Sequence, residues 1–382
     1  MRILHLGKYY APVSGGIETV LETLCRGETR VADSRALVVN RSHRTVHEVV
    51  DGVRVTRVGS LATVGAVSVA PALAYWLARA RADVLVLHEP NPMALVAYYL
   101  ARPAIPLVVW YHSEVIRPRW RYRLFYEPLL EFALRRARRI VVASPPMLEA
   151  PALGAHRDRC VVVPFGLNVD RYAASPAVTA RDGRLRAEST APILLFVGRL
   201  VRYKGLDVLL RALPGLEVRT VIAGDGPLRG PLELMARQLG LEGRVRFAGR
   251  VSDEELLAWY HACDMLVLPS VSRQEAFGMV QLEAMLCGRP VVSTDLRTGV
   301  PWVNQHEQTG LVVRTGDVAS LRGAIERLIR NPELRARLGD AGRARVLAMF
   351  TADRMCGATV SLYRDVAGPT VPAEVVCPPA RV

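Results

Sequence analysis

The sequence predicts an α/β protein built from two Rossmann-like parallel-sheet domains that face each other across a cleft. Three observations carry that expectation: short apolar, β-branched runs alternate with longer helical patterns, the alternation lapses once near Asp170 to Pro192, and it then restarts. A short, nearly all-apolar run that ends in polar, Gly or Pro residues suits a strand buried on both faces of a parallel sheet. Helical segments between such runs imply βαβ crossovers. At 382 residues the chain has room for two or three domains. With 51% hydrophobic and 23% charged residues it has material for real cores, which rules out disorder as its general state.

The first domain is expected over residues 1–175, with strands at 3–6, 36–39, 84–87, 107–110 and 140–143. Within it, the stretch 61–77 carries no charge but contains Gly65 and Pro71. At 17 residues it sits at the short edge for a membrane span, and a loop followed by a helix is expected. Residues near 171–191 lack strong periodicity and read as the linker. The second domain is expected over 190–350, with strands at 193–197, 218–223, 245–247, 265–268 and 291–293. After Val313 come helices only, at 318–330, 332–349 and 352–366. Residues 367–382, with Pro369, Pro372, Pro378 and Pro379, read as a loose tail.

The formal charge of +14, from 50 basic against 36 acidic residues, fits a nucleic acid, an anionic membrane surface or a polyanionic substrate as partner. Its distribution narrows the choice. Arg117, Arg119, Arg121, Arg123, Arg135, Arg136, Arg138 and Arg139 flank the apolar stretch Leu124, Phe125, Tyr126, Leu129, Leu130, Phe132 and Leu134. Arginines around an aromatic, apolar helix suit an anionic membrane surface; a solvated helix face over an ordinary core stripe is the alternative. Signatures of a recognition helix or an RNA-binding module are missing, so no nucleic-acid partner is expected. Cys25, Cys160, Cys263, Cys287, Cys356 and Cys377 show neither C-x-x-C pairing nor zinc spacing with histidine, and no metal site is expected. No secretory signal opens the chain, since Met1-Arg2-Ile3-Leu4 runs straight into a strand; a reduced, cytoplasmic compartment is expected.

Open parallel sheets bind ligands outside the carboxyl ends of their strands, so the informative residues should follow strands. In the first domain Ser14-Gly15-Gly16 precedes a helical pattern, where backbone N–H groups can approach a phosphate or a sugar oxygen. An ordinary turn explains the pair as well. No G-x-G-x-x-G follows the first strand, which disfavours a nicotinamide enzyme. In the second domain strand 193–197 runs into Gly198-Arg199-Leu200-Val201-Arg202-Tyr203-Lys204-Gly205. Arg199 and Lys204 beside a helix N-terminus can hold a diphosphate without a metal, or can be surface charge on a loop. Ala223-Gly224-Asp225-Gly226-Pro227 forms a second strand-end turn. The segment Glu275-Ala276-Phe277-Gly278-Met279-Val280-Gln281-Leu282-Glu283 is expected to begin a helix after strand 265–268, with its two carboxylates separated by about 12 Å of helical rise. That separation lets one carboxylate take sugar hydroxyls and the other ribose hydroxyls. A glycosidase pair, at ~5–10 Å, and two solvent-facing glutamates are the alternatives.

These pieces together resemble the retaining glycosyltransferases of family 4, which have the GT-B fold. The matching segments are Ser14-Gly15-Gly16, Phe196-Val197-Gly198-Arg199-Leu200 with Lys204-Gly205, the turn at 223–227, Val245-Arg246-Phe247-Ala248-Gly249, and the E-x7-E element ending Glu283-Ala284-Met285. They lie in order at family-like spacing over about residues 1–366. The resemblance implies that Arg199 and Lys204 bind the diphosphate of a nucleotide sugar, Glu275 its sugar and Glu283 its ribose. It also implies that Gly15 and Gly16 approach the phosphate or sugar by backbone, with Ala276, Phe277 and Gly278 beside Glu275. His112, in Trp110-Tyr111-His112-Ser113-Glu114, matches the histidine beside the donor sugar; the residues alone also allow a packed loop histidine. Val251 and Asp253 fall where the family touches the base, and the final helices would cross back onto the first domain.

Two finer likenesses bear on substrate. Asp295-Leu296-Arg297-Thr298-Gly299-Val300-Pro301-Trp302-Val303-Asn304 and the Trp110–Glu114 segment look like the corresponding loops of bacterial O-antigen and exopolysaccharide mannosyltransferases. They imply GDP-mannose as donor and a polyprenyl-diphosphate-linked saccharide as acceptor, used at the inner face of the cell membrane. No cofactor beyond the sugar nucleotide is implied. The chain departs from many relatives between Cys25 and Ala36, where a Gly-His before the second strand is missing. Other GT-B enzymes (a UDP-sugar transferase acting on a soluble acceptor, or a sugar-nucleotide epimerase) are the competing readings.

Overall fold

The computed structural model describes residues 1–13, 15–65, 67–115, 122–187 and 190–368. The first domain runs β1 (Arg2–Leu6), α1 (Gly16–Glu28), β2 (Asp33–Val39), β3 (Val46–Val50), β4 (Val53–Val58), the hairpin β5 (Ala62–Val64) and β6 (Val67–Val69), α2 (Ala72–Ala78), β7 (Val84–Glu89), α3 (Pro92–Ala101), β8 (Leu107–Tyr111), α4 (Glu127–Arg136), β9 (Ala137–Val142) and β10 (Cys160–Val162). Eight of these strands form one sheet in the order β10-β9-β8-β7-β1-β2-β4-β3, parallel except for the edge pair β3–β4. Every residue of β7 and of β8 is buried, as expected for central strands covered by helices on both faces. β4 alternates instead, burying Val53, Val55 and Val58 around Arg54 and Arg57. A scan for continuous apolar runs passes over such a strand. The uncharged stretch 61–77 becomes the β5–β6 hairpin and most of α2, and among the described residues no helix is long and apolar enough to cross a membrane.

The expected linker is not featureless. Residues Pro176–Ala187 form α5, which buries Val178 and Leu185 and packs on a helix of the second domain. Its two apolar contacts are spaced seven apart among Arg and Ala, too sparse a stripe to stand out as periodicity. Beyond it come β11 (Ile193–Val197), α6 (Leu206–Ala212), β12 (Arg219–Ala223), α7 (Arg229–Gln238), β13 (Val245–Gly249), α8 (Asp253–Ala262), β14 (Met265–Leu268), α9 (Met279–Leu286), β15 (Val291–Thr294), α10 (Val300–Val303), β16 (Gly310–Val313), α11 (Val318–Arg330), α12 (Pro332–Met349) and α13 (Ala352–Ala367). The partner of α5 is α8, with Arg181 of one 3.2 Å from Glu255 of the other. The second sheet is wholly parallel in the order β13-β12-β11-β14-β15-β16, the doubly wound order that reverses direction between β11 and β14.

The chain crosses between domains twice at one place. The Leu167 N–H donates to the Phe350 carbonyl at 2.9 Å, and the Ala352 N–H to the Leu167 carbonyl at 2.8 Å. A Cβ on Gly166 would sit 2.2 Å from the Thr351 carbonyl oxygen, so only glycine lets the two strands of the crossing pass. After it, α13 returns to the first domain, where it lies against α1, β7 and β8. Its Tyr363 hydroxyl takes the Trp110 indole N–H at 3.0 Å. An aromatic joint closes the gap: the Phe277 ring lies 4.9 Å from that of Phe165 and 6.0 Å from that of Phe350, which is 5.4 Å from Trp302. One continuous apolar core therefore runs through both domains.

Candidate active site

The second-domain half of the site lies at the reversal point between β11 and β14. The loop after β11 turns at Gly205 (φ 67°), whose missing Cβ would fall 2.0 Å from the Pro269 carbonyl oxygen after β14. The two loops are also joined by the Val271 N–H, which donates to the Tyr203 carbonyl at 2.8 Å. That approach brings Lys204 against Glu275: the ammonium donates to Oε2 at 2.6 Å, and the Ser270 hydroxyl donates to the same oxygen at 2.8 Å. Both ionisable side chains are buried, at 8% and 7% exposure. Burial alone would lower the Lys204 pKa, but the charge and hydrogen bond of Glu275 outweigh it, and the ammonium is held above its ordinary range. The Glu283 carboxylate also contributes to that shift. Arg199 stands exposed at the rim of the same loop.

Glu275 does not begin a helix. α9 starts only at Met279, after Gly278 in the left-handed region (φ 75°), so Glu275, Ala276 and Phe277 lie on the preceding loop. A Cβ on Gly278 would meet Leu268 at 2.7 Å, so the tight turn interrupts what looked like one helix. The helical rise inferred between the two carboxylates therefore does not apply. The Ala276 carbonyl accepts from the Gly299 N–H at 2.8 Å, and the Phe277 side chain turns away into the aromatic joint. Glu283 sits within α9, where the Tyr260 hydroxyl donates to Oε2. Burial raises its pKa against the hydrogen bonds of Tyr260 and Tyr172. Val251 is half-buried after β13, and Asp253 opens α8 and pairs with Arg171 at 2.6 Å.

The first-domain half follows β1, β7 and β8. Gly15 caps α1 in an extended conformation and Gly16 is its first residue, both exposed and with open space around a Cβ on Gly16. His112 lies directly after β8, only 3% exposed, its ring stacked 5.3 Å from Phe165 and so next to the aromatic joint. Burial drives its pKa down to about 3, so the imidazole is neutral. The Glu114 side chain crosses the cleft to Arg273 at 2.7 Å.

Of the arginines expected at a membrane, Arg117, Arg119 and Arg121 lie outside the described residues, as does the side chain of Arg123. Arg135 and Arg136 end α4, both exposed, bonded to Glu131 and to the Tyr98 hydroxyl. Arg138 and Arg139 are not on that helix but on β9, because Ala137 leaves the helix in an extended conformation. Arg138 donates to the Val366 carbonyl at the end of α13, at 2.6 Å.

Sequence reasoning missed Glu89, buried at the end of β7, and two histidines behind His112. Glu89 Oε2 accepts from the Asn91 N–H and the Tyr126 hydroxyl, while Oε1 has no partner and burial lifts the carboxyl pKa to about 8. His88-Glu89-Pro90 closes the strand expected at 84–87, so the rule that ligands bind beyond strand ends was the signal that could have found it. A groove of about 760 Å³, lined by Trp76, Tyr75 and Arg54 among others, lies on the flank of the first sheet and shares no residue with this site. Among the described residues, no group of three or more His, Cys, Asp or Glu is placed to hold a metal ion.

Two parallel-sheet domains, carboxyl ends facing, with charged strand-end loops at a reversal point, define a GT-B protein. Solved structures share that fold: a sucrose-phosphate synthase from Thermosynechococcus elongatus superposes with a TM-score of 0.80 at 22% identity, covering 96% of this chain and 98% of the other. HepE from Anabaena, in complex with UDP and glucose, gives 0.76 at 23% identity, covering 95% and 99%. The family model Glycosyltransferase Family 4 matches residues 14–171, and Glycosyl transferases group 1 matches residues 180–345. Among curated proteins, the D-rhamnosyltransferase WbpZ of Pseudomonas aeruginosa is 35% identical over 364 residues, covering 92% of this chain and 93% of that one. The O-antigen chain mannosyltransferase C of Escherichia coli is 32% identical over 372 residues, covering 95% and 98%. The chain belongs to glycosyltransferase family 4, and it is an enzyme that transfers a sugar.

Proposed function

We propose that the enzyme transfers mannose from GDP-mannose to a hydroxyl of a polyprenyl-diphosphate-linked saccharide, with retention at the anomeric carbon and without a divalent metal. The observation that carries this reading is the buried Lys204–Glu275 pair at the reversal point, with Arg199 on the same loop. In the reaction the bond from the anomeric carbon to the diphosphate oxygen breaks, and negative charge grows on the leaving phosphate. Lys204 and Arg199 meet that charge as fixed cations, where preorganised charge acts most strongly. Glu275 orients the sugar through its hydroxyls and holds Lys204 in place. The acceptor oxygen attacks the same face that the phosphate leaves, and its proton passes to the departing phosphate oxygen, so the charges balance. Closure of the cleft excludes water and limits hydrolysis of the sugar nucleotide.

The curated relatives' names favour a lipid-linked polysaccharide as the setting, through the O-antigen chain mannosyltransferase above and a phosphatidyl-myo-inositol mannosyltransferase of Mycobacterium leprae, 33% identical over 274 residues. Leu124 and Phe125 support membrane docking at the cytoplasmic face, since both are more than 60% exposed just before α4, whose far end bears Arg135 and Arg136. A second reading, D-rhamnose in place of mannose, is favoured by the 35% identical D-rhamnosyltransferase. Thermal-shift titration with a panel of GDP- and UDP-sugars in EDTA separates these readings, since a ligand that binds the folded state raises its melting temperature. GDP-mannose is expected to give the largest shift. A response to UDP-sugars alone, or only on adding a divalent metal, overturns the proposal.

A further inference from the structure

Behind His112 the first domain holds an unbroken row of buried polar side chains. His112 Nε2 lies 2.8 Å from His88 Nδ1, His88 Nε2 lies 2.9 Å from His5 Nδ1, and His5 Nε2 lies 2.7 Å from Glu28 Oε2. All four are 3% exposed or less. They come from the loop after β8, from β7, from β1 and from the end of α1, so the row runs from the cleft edge of the sheet into the packing under α13. The opposite end, His112 Nδ1, is buried and has no partner in the protein.

A row of this kind has a direction. A neutral imidazole donates through one nitrogen and accepts through the other, so each ring passes on the sense it receives. Glu28 sets that sense. Its Oε2 accepts from the Ser34 hydroxyl at 2.9 Å and lies 2.7 Å from His5 Nε2, and a carboxylate oxygen can only accept. Besides His5, Glu28 lies near Cys25, Cys356 and Tyr363, and burial keeps all three of these protonated and neutral. Glu28 therefore requires a hydrogen on His5 Nε2. His5 Nδ1 then accepts from His88 Nε2, and His88 Nδ1 accepts from His112 Nε2. An imidazolium at His5 would reverse both later bonds and leave an N–H on His112 Nδ1 with nothing to receive it. An orphaned interior donor is the costlier arrangement.

We propose that Glu28, His5 and His88 are positioning residues that fix His112 as the tautomer with its hydrogen on Nε2, so that Nδ1 offers a bare lone pair to a hydroxyl of the donor sugar. The identity of that ligand rests on the function proposed above; the tautomer does not. His112 would then select for a hydroxyl, which can donate to Nδ1, and against a carbonyl or an anion at that place. The buried Glu28 side chain thereby acquires a purpose: it orients the row from its far end.

The test reads the tautomer directly. In the full-length enzyme labelled with 15N-histidine, long-range 1H–15N spectra report which nitrogen of each ring carries hydrogen, and the signals lost in His112→Gln assign His112. The wild type, without any sugar nucleotide, is expected to show His112 with hydrogen on Nε2 alone. Glu28→Leu is expected to replace that state by a mixture of tautomers, with kcat reduced about tenfold and donor KM changed by less than about twofold. Glu28→Gln, whose amide oxygen still accepts from His5 and Ser34, is expected to keep the wild-type tautomer and most of the activity. A hydrogen on His112 Nδ1 in the wild type, or a tautomer unmoved in a folded Glu28→Leu protein, overturns the inference. If Glu28→Leu does not fold, the wild-type and Glu28→Gln spectra still decide it. A bare Nδ1 in a protein that transfers no sugar would instead count against the proposed function alone.

Discussion

The two domains build their halves of the active site by opposite means. In the second domain the functional groups lie on two consecutive-looking loops, pinned by glycines: Gly205 lets one loop touch the other, and Gly278 turns the chain between Glu275 and α9. Charge is gathered locally, and Lys204 meets Glu275 across that single contact. In the first domain His112, beside the cleft, is governed by residues 24, 107 and 84 positions away, through an interior row of hydrogen bonds. A site made of loop chemistry leaves a local mark in sequence; one made of sheet-spanning hydrogen bonds leaves none.

Substitutions sharpen that contrast. The largest effect is expected at the local contact. Lys204→Met and Glu275→Gln should each lower kcat/KM by about 10²–10³, measured by sugar transfer. Lys204→Met should also destabilise the fold by ~3–5 kcal/mol, because it strands a buried carboxylate. Adding Glu275→Leu to it should restore stability in urea titration but not activity. Phe277→Ala, which opens the aromatic joint between the domains, should cost about 3–5 kcal/mol in the same titration. A loss below ~1 kcal/mol would mean the joint does not hold the domains together.

A pH effect comes next, and it belongs to the first domain. Glu89 keeps its proton in the folded protein up to about pH 8, whereas the unfolded chain releases it near the ordinary 4.5. Between those values the unfolded state binds fewer protons, so stability falls as pH rises, by about 1.4 kcal/mol per pH unit from this group. Glu89→Gln, which mimics the protonated form, should flatten that slope in melting curves taken from pH 5 to 8. His88 and His112 act in the other sense below 6.5: burial depresses both, and their contribution is lost as pH falls. The smallest effect is expected at Arg273→Ala. Its ion pair with Glu114 is partly exposed, and removing it should cost no more than ~1 kcal/mol.

Much of this was legible beforehand, and the gaps have physical causes. The double α/β pattern and the strand-end placement of Arg199, Lys204 and His112 follow from apolar periodicity and motif order, while the return of α13 to the first domain was implied by the family resemblance alone. β4 and α5 escaped because one alternates and the other carries only two buried apolar residues. The helix expected from Glu275 was misjudged because Gly278 sits inside an otherwise good helical pattern, and only its positive φ shows that it ends a turn. Arg138 and Arg139 looked continuous with α4 because nothing in their side chains marks the change to β9. Glu28, His5 and His88 could not be paired from sequence at all, since their contacts are set by sheet order.

The most direct test of the diphosphate site is calorimetric titration of GDP in EDTA, on the wild type and on Lys204→Met. The wild type is expected to bind without metal, and Lys204→Met to bind at least about tenfold more weakly. Equal affinity in the two proteins, or binding that requires a divalent cation, would contradict a diphosphate held by the side-chain cations of the second domain.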